Sequence, residues 1–293
     1  MTSISRVGVV AKARLQDAAS HLVNVEEWLA ERGVEVVFET ATAALMPASS
    51  RRRTADKQAL VGEVGLVLVL GGDGTLLSMA DCIGRAELSI PVLGVNFGSL
   101  GFLTEVTLPE LYPALQAALA GQAHVEERMM LRATTMRPSA AATSEIALND
   151  VVINKGARSR LIDLSVSVGD GLVTRVRADG LIIATPTGST AYNLAAGGPI
   201  VQPNVEAIVL TPIAPHTLTN RPIVIPSSST VRVTPMIGER DEVFVTFDGQ
   251  AGFEMRAGDQ INVCRAGLPI RLIRPATRSY FEVLHEKLNW GKR

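Results

Sequence analysis

The chain has 293 residues, enough for two modest cores, with 47% hydrophobic residues, 19% charged residues and a net charge of -1. So near a neutral balance, the chain does not carry the concentrated basic face that bulk electrostatic binding of nucleic acid requires. No apolar run approaches membrane-spanning length and the amino terminus lacks a signal-peptide core and cleavage pattern, so no membrane association and a cytoplasmic location are expected.

The first part alternates strand and helix signals. Residues 7–10 form a short β-branched run, and Leu15, Ala18, Leu22, Val25 and Leu29 follow at helical spacing, ended by Gly33. Residues 34–38, 64–70 and 91–95 are further strand candidates; 64–70 is apolar throughout, as expected of a strand covered on both faces of a parallel sheet. Thr107-Leu108-Pro109-Glu110 has a capping-box pattern ahead of a helix carrying Leu111, Leu115, Ala118 and Leu119 on one face. The run Arg51-Arg52-Arg53 follows Pro47-Ala48-Ser49-Ser50 and reads as a solvated loop, with a phosphate-contacting lid as the sharper alternative. Beyond Gly121 the apolar segments shorten, period-two alternation appears at 164–168, 231–233 and 243–247, and turn signals such as Asp248-Gly249 recur.

These patterns predict an α/β domain with an open parallel sheet over residues 1–125 and a mostly antiparallel, all-β domain over 126–275. Helical spacing returns at 280–290, and this tail, as part of 276–293, is expected to pack back on the first domain. Cys82 and Cys264 are far apart in apolar surroundings and read as buried, reduced thiols.

Two stretches carry the chemistry. Gly71-Gly72-Asp73-Gly74-Thr75 follows a buried strand and opens a helix-like run, which places it at the carboxyl edge of a parallel sheet. Glycines there let backbone N–H groups approach phosphate oxygens, and a helix start favours negative charge. Asp73 is out of place in a loop that only binds phosphate; beside phosphates a carboxylate organises a metal ion or accepts the proton of an attacking hydroxyl, unless it merely caps the turn. The second stretch, 181–198, reads LIIATPTGSTAYNLAAGG, with the hydroxyls of Thr187, Ser189 and Thr190 around Gly188 where a helix is expected to begin; Ala191 leaves space and Tyr192 offers a stacking face. Between them, Asn149-Asp150 interrupts an apolar run and has the donors and acceptors to grip a vicinal diol, with a bulge or turn as the plainer reading. In 96–104 (NFGSLGFLT), Phe102 is a candidate ring contact or a core residue. His216 sits in a proline-bracketed turn and reads equally as structural or catalytic. No zinc spacing, Walker A sequence or G-x-S-x-G elbow is present.

Taken in order, GGDGT at 71–75, the 96–104 segment, Asn149-Asp150, the 179–199 block, TPIAPHTLTNRPIV at 211–224 and Asp248-Gly249-Gln250 resemble the bacterial NAD kinases over nearly the whole chain. The resemblance implies phosphoryl transfer from ATP to the 2′-hydroxyl of the adenosine ribose of NAD, giving NADP, with magnesium or another divalent cation, in a homodimer or homotetramer. It makes Asp73 the catalytic residue. Asn149 and Asp150 would grip ribose hydroxyls; Asp179, Thr187 and Thr190 would bind NAD; Ala191 and Tyr192 would line its pocket; Gly72, Gly74 and Phe102 would complete the walls. Gln250 joins the dinucleotide-binding set, and Arg177 is a candidate phosphate contact. Many relatives carry glutamate where Asp150 stands, which changes the reach to the ribose. Residues of a metal site are not named by the resemblance. Two other classes stay open at this point: a lipid or sugar kinase built on the same GGDGT element, and a dinucleotide-binding sensor without catalysis.

Overall fold

The computed structural model describes residues 4–12, 18–98, 100–138, 140–157, 161–238, 241–250, 252–275 and 278–290. The chain divides into two compact units, one made of Met1–Glu127 with Ile270–Arg293 and the other of Arg128–Pro269.

The first unit is built on an eight-stranded sheet. Its order is Arg53–Ala55, Glu35–Glu39, Arg6–Ala11, Leu66–Leu70, Pro91–Asn96, Ile270–Arg274 and His124–Arg128, with Val106–Thr107 paired to Pro91–Asn96. The pairings among the first six of these are parallel. Leu66–Leu70 is buried at every position, as its unbroken apolar run requires, because helices cover both faces. On one face Leu22, Val25 and Leu29 of the helix Ala18–Ala30 and Leu111, Leu115 and Ala118 of the helix Leu111–Leu119 meet Val7, Val9, Leu66, Leu68 and Leu93. On the other, the helix Lys57–Glu63 comes so close to the sheet that a Cβ on Gly8 would lie 2.5 Å from the Leu60 side chain. The capping box of Thr107 and Glu110 forms as expected.

Three short elements are absent from the sequence reading: the helices Thr40–Ala43 and Lys57–Glu63 and the edge strand Arg53–Ala55. The solvated-loop reading of 51–53 holds for Arg51, exposed in a turn, whereas Arg52 is half-buried and Arg53, though exposed, opens the edge strand. Arg52 makes a forked pair with Glu26 at 2.9–3.3 Å and lies 5.5 Å from the centre of the Phe38 ring, while Arg53 bridges Glu35 and Glu63 at 3.1 and 2.7 Å. Opposite charges facing across the edge strand fix this run in place.

The second unit consists of two antiparallel six-stranded sheets. One runs Ile223–Pro226, Ala207–Ile213, Gly180–Ala184, Asp150–Lys155, Val243–Phe247 and Phe253–Met255; the other runs Gly171–Ala178, Ile162–Val168, Val231–Met236, Gln260–Arg265, Leu131–Met136 and Thr143–Ala147. Alternate residues of both sheets, among them Val151, Ile153, Leu164, Val166, Val233 and Val263, enter one shared core. The opposite face of the first sheet is not left to solvent. Val152, Ile182, Ala184 and Val209 form a second, smaller cluster under Ala196, Val201 and Ile213.

The chain returns to the first unit at Ile270, earlier than the expected boundary after 275, because Ile270–Arg274 is a strand of the parallel sheet and not of the β unit. Cys82 is buried and Cys264 only partly so. Burial pushes the Cys82 thiol up from its ordinary range.

Candidate active site

In the first unit the strand order passes outward from Arg6–Ala11 to Glu35–Glu39 and Arg53–Ala55, then resumes on its other side with Leu66–Leu70. That reversal is a topological switch point, and ligands of open parallel sheets bind beyond the carboxyl ends of the strands that flank it. Lys12 follows one of these strands and Gly71-Gly72 the other. The Lys12 N–H donates to Leu70 O at 3.0 Å, and a Cβ on Gly71 would sit 3.2 Å from the Lys12 Cβ and 3.0 Å from Thr75 Oγ1. Glycine at 71 is what allows this close approach. Gly72 is the N-cap of the helix Asp73–Arg85 and makes no side-chain cap, so the first amides of that helix keep free donors of the kind that accept an anion.

Asp73 is the first residue of that helix, and its carboxylate is already engaged. Oδ2 accepts from the Phe102 N–H at 2.8 Å; Oδ1 accepts from the N–H groups of Leu103 and Thr104 at 3.2 and 3.0 Å and from Thr104 Oγ1 at 2.8 Å. It thus ties the 100–104 loop to the glycine turn, and Oδ2 is the oxygen that keeps room for a further partner. Gly101 makes this possible, since a Cβ there would overlap both the Asp73 carboxylate and Thr104 Oγ1. Phe102 is half-buried with Lys287 Nζ 5.8 Å from its ring centre, whereas Leu103 is buried.

In the second unit, Asn149-Asp150 stands where the chain leaves one sheet for the other. Asp150, Val152 and Asn154 point to the outer face of their strand because Val151 and Ile153 point into the core. Together with Asn149, Ala191, Tyr192, Thr246, Asp248 and Gly249 they line a pocket of about 390 Å³. Asp150 is 3% exposed. Burial, reinforced by the negative charge of Asp248, pushes its carboxyl up to about 7. Near neutral pH this group both donates and accepts, which suits a diol.

The hydroxyl cluster serves the turn more than a ligand. Thr185 Oγ1 donates to Leu148 O at 2.6 Å and accepts from Gly188 N, and Ser189 Oγ is shared between Pro186 O and Val201. Thr187 is buried and accepts from Arg128 Nη1 at 3.5 Å; Thr190 Oγ1 bonds back to Thr187 O at 3.3 Å. The expected Ala-rich helix is corrected to a 3-10 turn, Thr187–Thr190, and a single helical turn, Tyr192–Ala195. Hydroxyls bonding back to carbonyls three residues earlier compete with helix propagation. Gly188 lies against the Asn149 carbonyl so closely that any Cβ would overlap it.

The structure therefore gathers Gly72, Asp73, Gly74 and Phe102 at the glycine turn, and Asn149, Asp150, Ala191 and Tyr192 around the pocket. It does not bring Asp179 to that pocket. Asp179 pairs with Lys155 at 2.9 Å, at the far end of the strand that Asp150 begins, about 17 Å away at 3.3 Å per residue. Arg177 is exposed and its carbonyl accepts from the His216 N–H, while Gln250 is exposed and closes the turn that begins at Phe247. Sequence reasoning gave no site role to Lys12, Thr185 or Asp248, and read Asp248 only as part of a turn and of the family resemblance. The Asp-Gly pair was the available signal for the last of these.

Two family models match the chain: the ATP-NAD kinase N-terminal domain over residues 7–123 and the ATP-NAD kinase C-terminal domain over 148–275. The chain belongs to the ATP-NAD kinase family. It is 48% identical to the NAD kinase of Geobacter sulfurreducens (strain ATCC 51573 / DSM 12127 / PCA) and 46% identical to that of Geotalea daltonii (strain DSM 22248 / JCM 15807 / FRC-32), in each case over 99% of this chain and 100% of the relative. Among solved structures it is similar to yeast NADH kinase complexed with NADH, with a TM-score of 0.90 and 28% identity over 100% of this chain and 90% of that one. An NAD kinase from Archaeoglobus fulgidus in complex with ATP gives a TM-score of 0.75 and 26% identity over 98% and 100%. The ATP-NAD kinase reading thus prevails over the lipid-kinase and sensor alternatives. The enzyme is a phosphotransferase with an alcohol acceptor and catalyses ATP-dependent phosphorylation of NAD.

Proposed function

We propose that the acceptor is the 2′-hydroxyl of the adenosine ribose of NAD, held by Asn149 and Asp150 in the second unit, and that ATP phosphates are received by the glycine turn of the first. The observation that carries this reading is the pocket in which a buried carboxyl and an amide stand beside Tyr192: a diol-gripping pair next to a stacking ring. At the glycine turn, Gly72 and Gly74 leave backbone N–H groups open to phosphate oxygens, and Lys12 adds a cation at the same strand edge. Phosphoryl transfer asks mainly for positioning and charge neutralisation, so such parts suffice without covalent chemistry.

Asp73 carries two tasks in this reading. It fixes the Phe102 loop through its four hydrogen bonds, and its Oδ2 holds the metal or takes the proton of the attacking hydroxyl. Magnesium is ordinarily bound by one or two carboxylates with substrate phosphates, and it would neutralise charge on the transferring group. Among the described residues no three or more acidic, histidine or cysteine side chains form a group that could hold a metal ion, and in this reading Asp73 would be the carboxylate that holds the cation.

Thr187, Thr190, Asp179 and Gln250 belong to the dinucleotide-binding set in this reading and Arg177 is a phosphate contact, although none of them is among the residues that line the pocket. A homodimer or homotetramer belongs to the same reading, supported by Leu172, Val173 and Val224, which are exposed on the edge strands Gly171–Ala178 and Ile223–Pro226. So does a cytoplasmic location; among the described residues no helix is long and apolar enough to cross a membrane.

The test is NADP formation by the purified protein with NAD, ATP and magnesium, beside Asp73→Ala and with polyphosphate or NADH replacing a substrate. NADP made by the wild type and lost in the variant supports the reading; a product phosphorylated anywhere but the adenosine 2′-position overturns it.

A further inference from the structure

The turn Phe247-Asp248-Gly249-Gln250 joins two antiparallel strands, and the Gln250 N–H donates to Phe247 O at 2.9 Å. Asp248 and Gly249 both have positive φ, 52° and 66°, the pattern of a type I′ turn. Asparagine fills the first central position of such turns as readily as aspartate, so the turn by itself does not demand a charge. The charge acts elsewhere. Asp248 Oδ2 accepts from the Leu148 N–H at 2.8 Å, and Oδ1 accepts from the N–H groups of Asn149 and Asp150 at 2.6 and 3.1 Å.

The carbonyls of the same three residues are held as well. Leu148 O accepts from Thr185 Oγ1 at 2.6 Å, Asn149 O from Thr185 N at 2.9 Å, and Asp150 O from Asp248 N at 2.9 Å. All six backbone polar groups of 148–150 are thus satisfied by two residues, Asp248 and Thr185, at the start of the strand Asp150–Lys155. Asp248 is also part of the pocket wall.

We propose that Asp248 is a positioning residue for NAD, holding Asn149 and Asp150 in the geometry that grips the ribose. This rests on the assignment of that pocket to the dinucleotide. An asparagine at 248 has one acceptor oxygen and turns an NH2 group toward N–H donors, so it cannot serve both ends of the 148–150 segment. Among the described residues lining the pocket from its two strands, the turn and the 191–192 segment, the ionisable side chains are Asp150, Asp248 and Tyr192. Removing the charge of Asp248 therefore also removes the like charge facing Asp150, and Asp150 ionises at lower pH.

The experiment is steady-state kinetics of the full chain against pH for wild type, Asp248→Asn and Asp248→Glu, with NAD and ATP varied separately. The wild type is expected to show an inflection in kcat/KM for NAD near neutral pH. Asp248→Asn should raise KM for NAD about tenfold, leave KM for ATP within twofold, and move the inflection to lower pH. An unchanged KM for NAD with an unmoved inflection overturns the proposal. Should Asp248→Asn fail to fold, Asp248→Glu is decisive: it keeps the charge and both acceptor oxygens on a longer stem, so a raised KM for NAD with the inflection in place supports positioning, and wild-type kinetics overturn it. A wild type that makes no NADP defeats the pocket assignment itself, an outcome distinct from either result.

Discussion

Asp150 shows how one buried carboxyl is held between stability and function. Its folded-state value, about 7, lies above the ordinary 3.8, so between these limits the folded protein binds more protons than the unfolded chain. Stability then falls as pH rises through that window, and the cost is fully developed above about pH 7. A shift of this size corresponds to roughly 4 kcal/mol. Asp150→Asn is expected to raise the melting temperature at pH 8, with a gain that shrinks toward pH 5, while weakening NAD binding. Thermal melts at the two pH values check the first part; equal gains at both would contradict burial as the cause.

Asp73 and Gly101 allow chemistry to be separated from loop anchoring. Asp73→Ala removes both the loop bonds and any direct role, and turnover is expected to fall by about 10² to 10⁴, the range of a lost acid–base or metal-organising group. Gly101→Ala leaves the carboxylate in place but forces the 102–104 loop away from it. Its expected effect is smaller, about tenfold in kcat with a modest loss of stability. Equal losses in the two variants, measured by initial rates at saturating substrate, would mean that Asp73 acts through the loop alone.

At the scale of elements, the segment 185–201 is a fastening device laid over the outer face of a sheet. Ser189 and Asn193 fold it back on itself through Pro186, Pro199 and Val201, Asn193 accepts from Thr211 of the sheet, and Gly188 seats it on Asn149. Gly188→Ala would push a methyl into a backbone carbonyl, which cannot swing aside as a side-chain tip does. An overpacking cost of about 1–3 kcal/mol is expected, with loss of NAD affinity beyond what the stability change explains. Denaturant melts and titration with NAD test this; a variant with both unchanged would show that the segment is free to shift. The density of hydroxyls here was legible as a candidate site, but the bonds by which they hold the turn were not, because a threonine that caps a carbonyl and one that meets a ligand look alike in one dimension.

At the scale of the molecule, the parallel sheet of the first unit is completed from the far end of the chain. Ile270–Arg274 lies between Pro91–Asn96 and His124–Arg128, Ile270 and Leu272 are buried, and Arg274 pairs with buried Glu105 at 2.6 Å. Ending the chain after Pro269 would detach the edge strand His124–Arg128 from the rest of the sheet and remove the Arg274 partner of buried Glu105, a change of the kind that costs several kcal/mol. Such a chain is expected to lose the cooperative melt of its first unit, followed by near-UV circular dichroism and calorimetry. Retention of both melting transitions would show that the returning strand is dispensable.

Local pattern alone determined the alternation that builds the first unit, the antiparallel character of the second, the capping box at Thr107 and Glu110 and the glycine turn with its acid, since each depends on residues a few positions apart, and the order of such motifs along the chain carried the family resemblance. Tertiary structure decided the rest. Asp73 meets Phe102, Asp248 meets Leu148 and its neighbours, and Ile270–Arg274 joins Pro91–Asn96 across separations of 29, 100 and well over a hundred residues. Spacing in sequence carries no signal for such pairings, because it is the sheet registers, set by burial of whole strand faces, that bring those groups within hydrogen-bonding distance.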